Sequence, residues 1–173
     1  MSADKCKVII CTPGNQYNTR FLRCLAELIV FFKSNDIGYA FSNAYSRDIY
    51  QSRNLCLKGK PSKGPDQKPF NGLNYTHILW LDSDVSWKLS DIGKLFDADK
   101  DAISGLYYMA DGKYFAAVED WDEDYFREHG SFKFLDPEAV NQRQLPFIVS
   151  YAGLGFMLVK KQAMDKLQYP WFA

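Results

Sequence analysis

The sequence has no net charge, no long apolar run and no leader-like start. Its 173 residues carry 21 lysines and arginines against 21 aspartates and glutamates, so no overall charge attracts the chain to nucleic acid or to an anionic membrane. No apolar stretch reaches the length that spans a bilayer. The first residues run straight into a strand-like segment without the apolar core of a signal peptide. We therefore expect a cytoplasmic protein with no membrane span and no nucleic-acid partner.

Cysteine is also scarce, and its spacing excludes the common zinc patterns. The four cysteines are Cys6, Cys11, Cys24 and Cys56. No two of them have just two residues between them, which is the usual spacing of paired zinc ligands. Free, mostly buried thiols in a reducing compartment are the interpretation that fits this usage.

Apolar and aromatic residues are abundant, at 47% and 16% of the chain. Such a composition argues against disorder. The length suits one domain, which we assign to residues 1–173, with a real hydrophobic core. No repeat or second domain is visible.

Strand-like and helical patterns alternate along the first half of the chain. Short apolar runs at 7–11, 38–42 and 78–81 predict buried strands, and helical periodicity predicts helices at 18–33 and 46–58. Ser46 and Ser90 are possible helix caps. Further on, the patterns predict strands at 102–109 and 114–118 around an Asp111-Gly112 turn, and at 146–152 and 156–161. This alternation indicates an α/β fold with a mainly parallel central sheet and helices on both sides.

One stretch carries the clearest chemistry. Four large apolar residues, Ile78 to Leu81, end abruptly in Asp82-Ser83-Asp84. In an extended chain the side chains of residues i and i+2 point the same way, so Asp82 and Asp84 can converge while Ser83 turns away. Two converging carboxylates suit Mg²⁺ or Mn²⁺. The alternative is that both aspartates merely cap turns at a strand-to-loop junction.

The run Ile-Leu-Trp-Leu-Asp-Ser-Asp resembles the DXD motif of nucleotide-sugar glycosyltransferases with the GT-A fold. The similarity covers nearly the whole chain and is strongest to the small glycosyltransferases of large DNA viruses of algae, the chlorella virus type. It implies a hexosyltransferase that moves a sugar from a UDP-sugar to a glycan or glycoprotein acceptor, with Mn²⁺ or Mg²⁺ held by Asp82 and Asp84. For a viral enzyme the location would be the host cytoplasm.

The resemblance also implies which residues contact the donor. Besides the metal-binding aspartates, the implied nucleotide and donor contacts are Thr12, Pro13, Gly14, Arg53, Ser83, Gly153, Leu154 and Gly155. Tyr107, Tyr108 and Asp111 are candidates near the acceptor or donor sugar. The acidic, aromatic segment 119–125 is typical of a solvated face, with acceptor binding as the alternative.

The chain departs from the family near its end. Many relatives carry a later acidic segment that supplies a catalytic carboxylate, whereas this sequence stops at Ala173. We expect either a domain truncated at its C-terminus or a base among the residues present, and the candidates are Asp111 and Asp120.

Two other functions stay open. One is a sugar-phosphate nucleotidyltransferase, which also uses an α/β sheet and a divalent ion. Such enzymes usually have a glycine-rich signature with lysine or arginine after the first strand, whereas residues 11–15 contain one glycine and no basic residue. A non-catalytic carbohydrate-binding domain with a GT-A-like fold is the second, favoured by the early stop.

Overall fold

The strands form a five-stranded central sheet and a separate two-stranded one. A computed structural model describes residues 7–173, so the expectation of a free thiol at Cys6 lies outside the described residues. The strands are β1 (Lys7–Pro13), β2 (Gly38–Ala44), β3 (His77–Leu81), β4 (Ala102–Ser104), β5 (Ala117–Val118), β6 (Tyr151–Ala152) and β7 (Phe156–Lys160). The central sheet has the order β2-β1-β3-β7-β4, and β5 pairs with β6.

The central sheet is mixed but mostly parallel. β1 pairs in parallel with both β2 and β3. β7 lies between β3 and β4 and pairs antiparallel with each of them, so β4 runs in the direction of β3. The α/β class and the mostly parallel sheet predicted from the sequence are therefore confirmed, whereas the reversed strand was not predicted.

Helices flank the sheet. The helices are α1 (Thr19–Ser34), α2 (Ile49–Cys56), α3 (Leu89–Asp97), α4 (Glu123–His129), α5 (Pro137–Asn141) and α6 (Lys161–Met164). Within residues 7–173, no helix is both long and apolar enough to cross a membrane.

Alternate residues of the two central strands supply two separate core clusters. Leu79 and Leu81 of β3 pack with α1 and α3, where Phe21 and Ile92 are fully buried. Ile78 and Trp80 face the other way and pack with residues of α2 and α6. A strand that is apolar on both faces needs cover on both faces, and this is why the helices lie on the two sides of the sheet.

Two predicted helix caps are wrong. α2 begins at Ile49 because the side chain of Asp48 accepts a hydrogen bond from the Tyr50 N–H (2.7 Å), while Ser46 lies before the helix, with its N–H donated to Ser52 Oγ (2.8 Å). α3 begins at Leu89, so Ser90 is inside it. At α3 the side chain of Asp91, rather than the expected serine, accepts the N–H of Lys88 (3.0 Å) and so satisfies a free donor at the start of the helix.

The strands predicted in the second half are shorter than expected. β4 ends at Ser104, and Gly105 donates its N–H to the carbonyl of Phe156 (2.9 Å) before the chain leaves the sheet. The Asp111-Gly112 turn is present, closed by the Met109 N–H on the carbonyl of Tyr114 (2.8 Å). Beyond it, Tyr108 and Phe115 form an antiparallel bridge, and the Ala116 N–H donates to the carbonyl of Tyr107 (3.0 Å). The predicted hairpin is therefore present but short, and residues 117–118 then pair with β6. Helices α4 and α5 were not predicted.

Residues 59–73, between α2 and β3, contain two short 3-10 turns, Pro61–Lys63 and Pro69–Gly72. Pro69 and Phe70 are buried, so part of this stretch belongs to the core.

Candidate functional site

A cleft of about 400 Å³ opens beside the ends of the parallel strands β1 and β3. The cleft is lined by Pro13 at the end of β1 and residues 14–16 after it, by residues 45–47 after β2 and by residues 82–84 after β3, together with Ile49 and Ser52. Ligands of open α/β sheets usually bind at the carboxyl ends of the strands. A second cavity, beside Tyr75, holds only about 180 Å³, which is below the usual size of a small-molecule site. The larger cleft is therefore the candidate site.

Asp82 is the first residue after β3 and is partly buried, with 27% of its side chain exposed. Its N–H donates to the carbonyl of Gly155 (2.8 Å), which ties it to the turn before β7. Oδ2 lies 3.6 Å from Nη2 of Arg53, while Oδ1 is buried and has no hydrogen-bond partner among the described residues. An unsatisfied buried oxygen costs about 1–3 kcal/mol, so the site favours a ligand that would engage it.

The environment of Asp82 disfavours its ionised form. Burial raises the pKa of Asp82, the Arg53 guanidinium works against this, and the nearby Asp84 carboxylate raises it further. The two carboxylates are therefore close enough to repel each other, and a bound cation would relieve that repulsion.

Asp84 differs from Asp82 in having no protein partner. It is exposed and lines the cleft, and it makes no hydrogen bond or ion pair with any residue from 7 to 173. Two carboxylates at one cleft fit the oxygen ligands that Mg²⁺ and Mn²⁺ prefer. No third Asp, Glu, His or Cys in the described part of the chain joins a group that could hold an ion, so a ligand's own oxygens would have to share it.

Ser83 also lines the cleft, and the expectation that its side chain turns away is wrong. The extended strand ends at Leu81, and the chain then turns, with the Val85 N–H donating to the carbonyl of Asp82 (3.1 Å). Side chains alternate between two faces only in extended chain, so the alternation does not continue through Ser83. Its Oγ would lie 3.5 Å from a methyl group placed on Gly14.

Arg53 reaches Asp82 from helix α2, although it is not among the described residues that line the cleft. Its side chain is 16% exposed, and its buried Nε has no hydrogen-bond partner within residues 7–173. A guanidinium offers five donors in a planar fork that suits phosphate or carboxylate. Arg53 is thus only partly satisfied by one long contact to Asp82, and it retains donors for a ligand.

The Gly153-Leu154-Gly155 turn packs against the back of Asp82. A methyl group on Gly155 would lie 2.9 Å from Asp82 Oδ2 and 2.8 Å from the hydroxyl of Tyr107. Both glycines are buried, and the Gly155 N–H donates to the Tyr107 hydroxyl (2.9 Å). Leu154 instead packs against the core on the α2 side. The turn therefore brings Tyr107 close to the acidic pair.

Pro13, the last residue of β1, and Gly14, the first residue after it, line the cleft, whereas Thr12 does not. Thr12 is buried within β1, and its carbonyl accepts a hydrogen bond from the Tyr17 hydroxyl (2.9 Å). Gly14 has φ +132°, a conformation that side chains rarely adopt, and its N–H donates to the carbonyl of Ala44 (3.0 Å). Thr12 therefore anchors Tyr17 of the following loop through its carbonyl group, while Pro13 and Gly14 line the cleft.

The two candidate bases do not line the cleft in the described structure. Asp111 is exposed and accepts the N–H of Lys113 (2.8 Å), so its carboxylate stabilises the hairpin turn. Asp120 is exposed just after β5, the strand that pairs with β6 ahead of the glycine turn.

Sequence reasoning missed the loop between β2 and α2. Tyr45, 55% exposed, and Arg47 line the cleft opposite the acidic pair. An aromatic ring and a cation beside two aspartates can receive a base and a phosphate. The signal that could have found them is the position of this loop after a parallel strand, since β2 pairs with β1 and ends at the same edge.

No family model matches the chain, and no curated protein matches it in a sequence comparison.

Proposed function

We propose that this chain transfers a sugar from a UDP-sugar to a hydroxyl group of a glycan acceptor, as its resemblance to the GT-A glycosyltransferases implies. The observation that carries the proposal is the cleft beside β1 and β3, where Asp82, Ser83 and Asp84 face Pro13 and Gly14. The resemblance implied these segments from distant parts of the sequence, and they line one cleft.

The cleft has a basic, aromatic side and an acidic side. Arg47 and Tyr45 lie on the first; the ring can stack on a nucleobase, and the guanidinium can donate to phosphate oxygens. On the acidic side, the Asp84 carboxylate is available to bind a metal ion, and the Asp82 carboxylate forms an ion pair with Arg53. Mn²⁺ or Mg²⁺ at the aspartates would supply Lewis-acid stabilisation of the charge on the departing diphosphate.

The residues of the chain then have distinct roles. Arg53 neutralises Asp82 and keeps donors for the diphosphate, and the hydrogen bond from Gly155 to Tyr107 fixes the turn behind Asp82. A base must take the proton of the acceptor hydroxyl. Asp120 suits this role better than Asp111, because Asp111 is engaged in its own turn and Asp120 continues the strand paired with β6.

A cytoplasmic location is part of the proposal. The described cysteines, Cys11, Cys24 and Cys56, are free thiols, which fits a reducing compartment.

Calorimetric titration of UDP with and without Mn²⁺ tests the proposal. Wild type should bind UDP more tightly with Mn²⁺, and Asp84→Asn should lose at least about tenfold of that metal-dependent affinity. The matched control is Asp97→Asn, which makes the same charge change at an exposed position at the end of α3. Equal metal dependence in all three proteins would remove the transferase proposal. If metal-dependent binding is observed, release of UDP from UDP-glucose by the wild-type protein distinguishes an enzyme from a binding domain.

A further inference from the structure

Four aromatic rings form a continuous cluster in the second half of the chain, three of them exposed around a half-buried central ring. We call this cluster the aromatic platform and define it as Trp121, Phe126, Phe132 and Tyr151. Phe132 is central, with ring centroids 5.3 Å from Trp121, 5.3 Å from Phe126 and 5.6 Å from Tyr151. Trp121 is 54% exposed and Tyr151 is 45% exposed, so this group is much less covered than a hydrophobic core. Contiguous exposed apolar area of this kind indicates a binding surface.

Carboxylates surround the platform. Five of the six residues from 119 to 124 are aspartate or glutamate. Three of these are held: Glu119 pairs with Arg143, Glu123 pairs with Arg127, and Asp122 accepts the N–H of Tyr125 at the start of α4 (2.9 Å). The side chains of Asp120 and Asp124 are exposed and form no hydrogen bond or ion pair with other described residues. These two are therefore available as acceptors for a ligand's hydroxyl groups.

The platform is connected to the cleft. Tyr151 lies in β6, which pairs with β5, and the Gly153 N–H donates to the carbonyl of Ala116 (2.7 Å). Tyr151 is close enough to Tyr107 to act on it electrostatically, and Tyr107 accepts the N–H of Gly155 beside Asp82. The platform is thus connected through β6 and Tyr107 to the turn that packs behind Asp82.

We infer that the aromatic platform binds the saccharide that accepts the transferred sugar. Ring faces stack on the apolar C–H faces of a pyranose because the negative face of a ring attracts weakly positive hydrogens, and free carboxylates accept hydrogen bonds from its hydroxyls. The negative charge of the segment disfavours nucleic acid and anionic lipid. Calling the saccharide an acceptor rests on the transferase function proposed above, whereas saccharide binding itself needs no donor.

An array of neutral oligosaccharides, probed without nucleotide or metal, tests the assignment. Wild type should be retained, and Trp121→Ala should lose about tenfold in affinity. The matched control is Tyr50→Ala, since Tyr50 is 50% exposed and has no ring contact within the described chain. Asp124→Asn leaves every ring in place and should also weaken retention, so the test does not depend on one variant folding.

Fluorescence adds an independent readout. The other three tryptophans, Trp80, Trp87 and Trp171, are at most 7% exposed, so a change in the emission of exposed tryptophan on adding a retained oligosaccharide reports Trp121. Retention that Trp121→Ala leaves unchanged, or binding to polylysine or phosphatidylcholine vesicles but to no glycan, would overturn the inference. Saccharide binding in a protein that fails to bind UDP would remove the transferase function and leave the saccharide site.

Discussion

Replacing Gly153 by alanine is expected to destabilise the protein by forcing Tyr107 out of place. The added Cβ would lie 2.2 Å from the Tyr107 hydroxyl oxygen and 3.0 Å from the Cβ of Ala116. Ordinary carbon contacts are about 3.5–4.0 Å, so the ring must move. Gly153 is not among the glycines with positive φ, and the cost therefore comes from the collision rather than from backbone strain.

The magnitude follows from two contributions. Overpacking a filled site costs about 1–3 kcal/mol. Moving Tyr107 also breaks its hydrogen bond with the Gly155 N–H (2.9 Å), which adds about 1 kcal/mol. The sum is about 2–4 kcal/mol in the free energy of unfolding. At about 2–4 °C per kcal/mol for a chain of this size, the melting temperature should fall by about 4–16 °C.

A double-mutant cycle with Tyr107→Phe isolates the collision. Urea denaturation would be measured for wild type, both single variants and the double variant. Because Phe lacks the colliding oxygen, Gly153→Ala should cost less in the Tyr107→Phe background, by about 1 kcal/mol or more. The control is Gly93→Ala in α3, where no described atom lies within 4 Å of the added Cβ; it should stabilise the helix by about 0.5–1 kcal/mol.

Additive costs of the two changes would refute the reasoning. Additivity would mean that the Tyr107 hydroxyl does not lie over Gly153. The inferred packing of Tyr107 and the glycine turn against Asp82 would then also be wrong. A stable Gly153→Ala variant would have the same consequence.

Two further predictions concern charge and the end of the chain. Burial raises the pKa of Asp82, so the folded state keeps this proton to higher pH than the unfolded chain, and its contribution to stability falls as pH rises from about 4 through the raised pKa. In Asp82→Asn the free energy of unfolding, measured by urea denaturation, should decrease less with rising pH than in wild type. The same pH dependence in both proteins would contradict the prediction. Asn54→Ala should cost about 2–4 kcal/mol, because the buried amide accepts the Trp171 N–H (3.0 Å) and donates to the carbonyl of Phe172 (2.7 Å). Thermal denaturation beside the exposed control Asn74→Ala measures this, and matching midpoints would argue against the contact.

Local sequence patterns predicted the strands and helices well where buried residues recur at a regular spacing along the chain. The unbroken apolar run of β3 indicated a strand covered on both faces, and the helical periodicity of residues 18–33 indicated α1, whose buried residues are Phe21, Leu28 and Phe32. Acidic segment 119–125 shows the opposite case: its charges concealed a helix, because α4 has no buried residue and so leaves no apolar stripe to detect.

By itself, the sequence determined the α/β alternation and the abrupt change from apolar strand to Asp82-Ser83-Asp84, because both depend on neighbours within a few positions. Only the tertiary structure decided which distant groups meet that acidic pair. Arg53 reaches it from α2, and Gly155 reaches it because β7 runs antiparallel beside β3. The direction and order of strands depend on pairing across the whole sheet, which no local pattern records, and these determine the surroundings of Asp82.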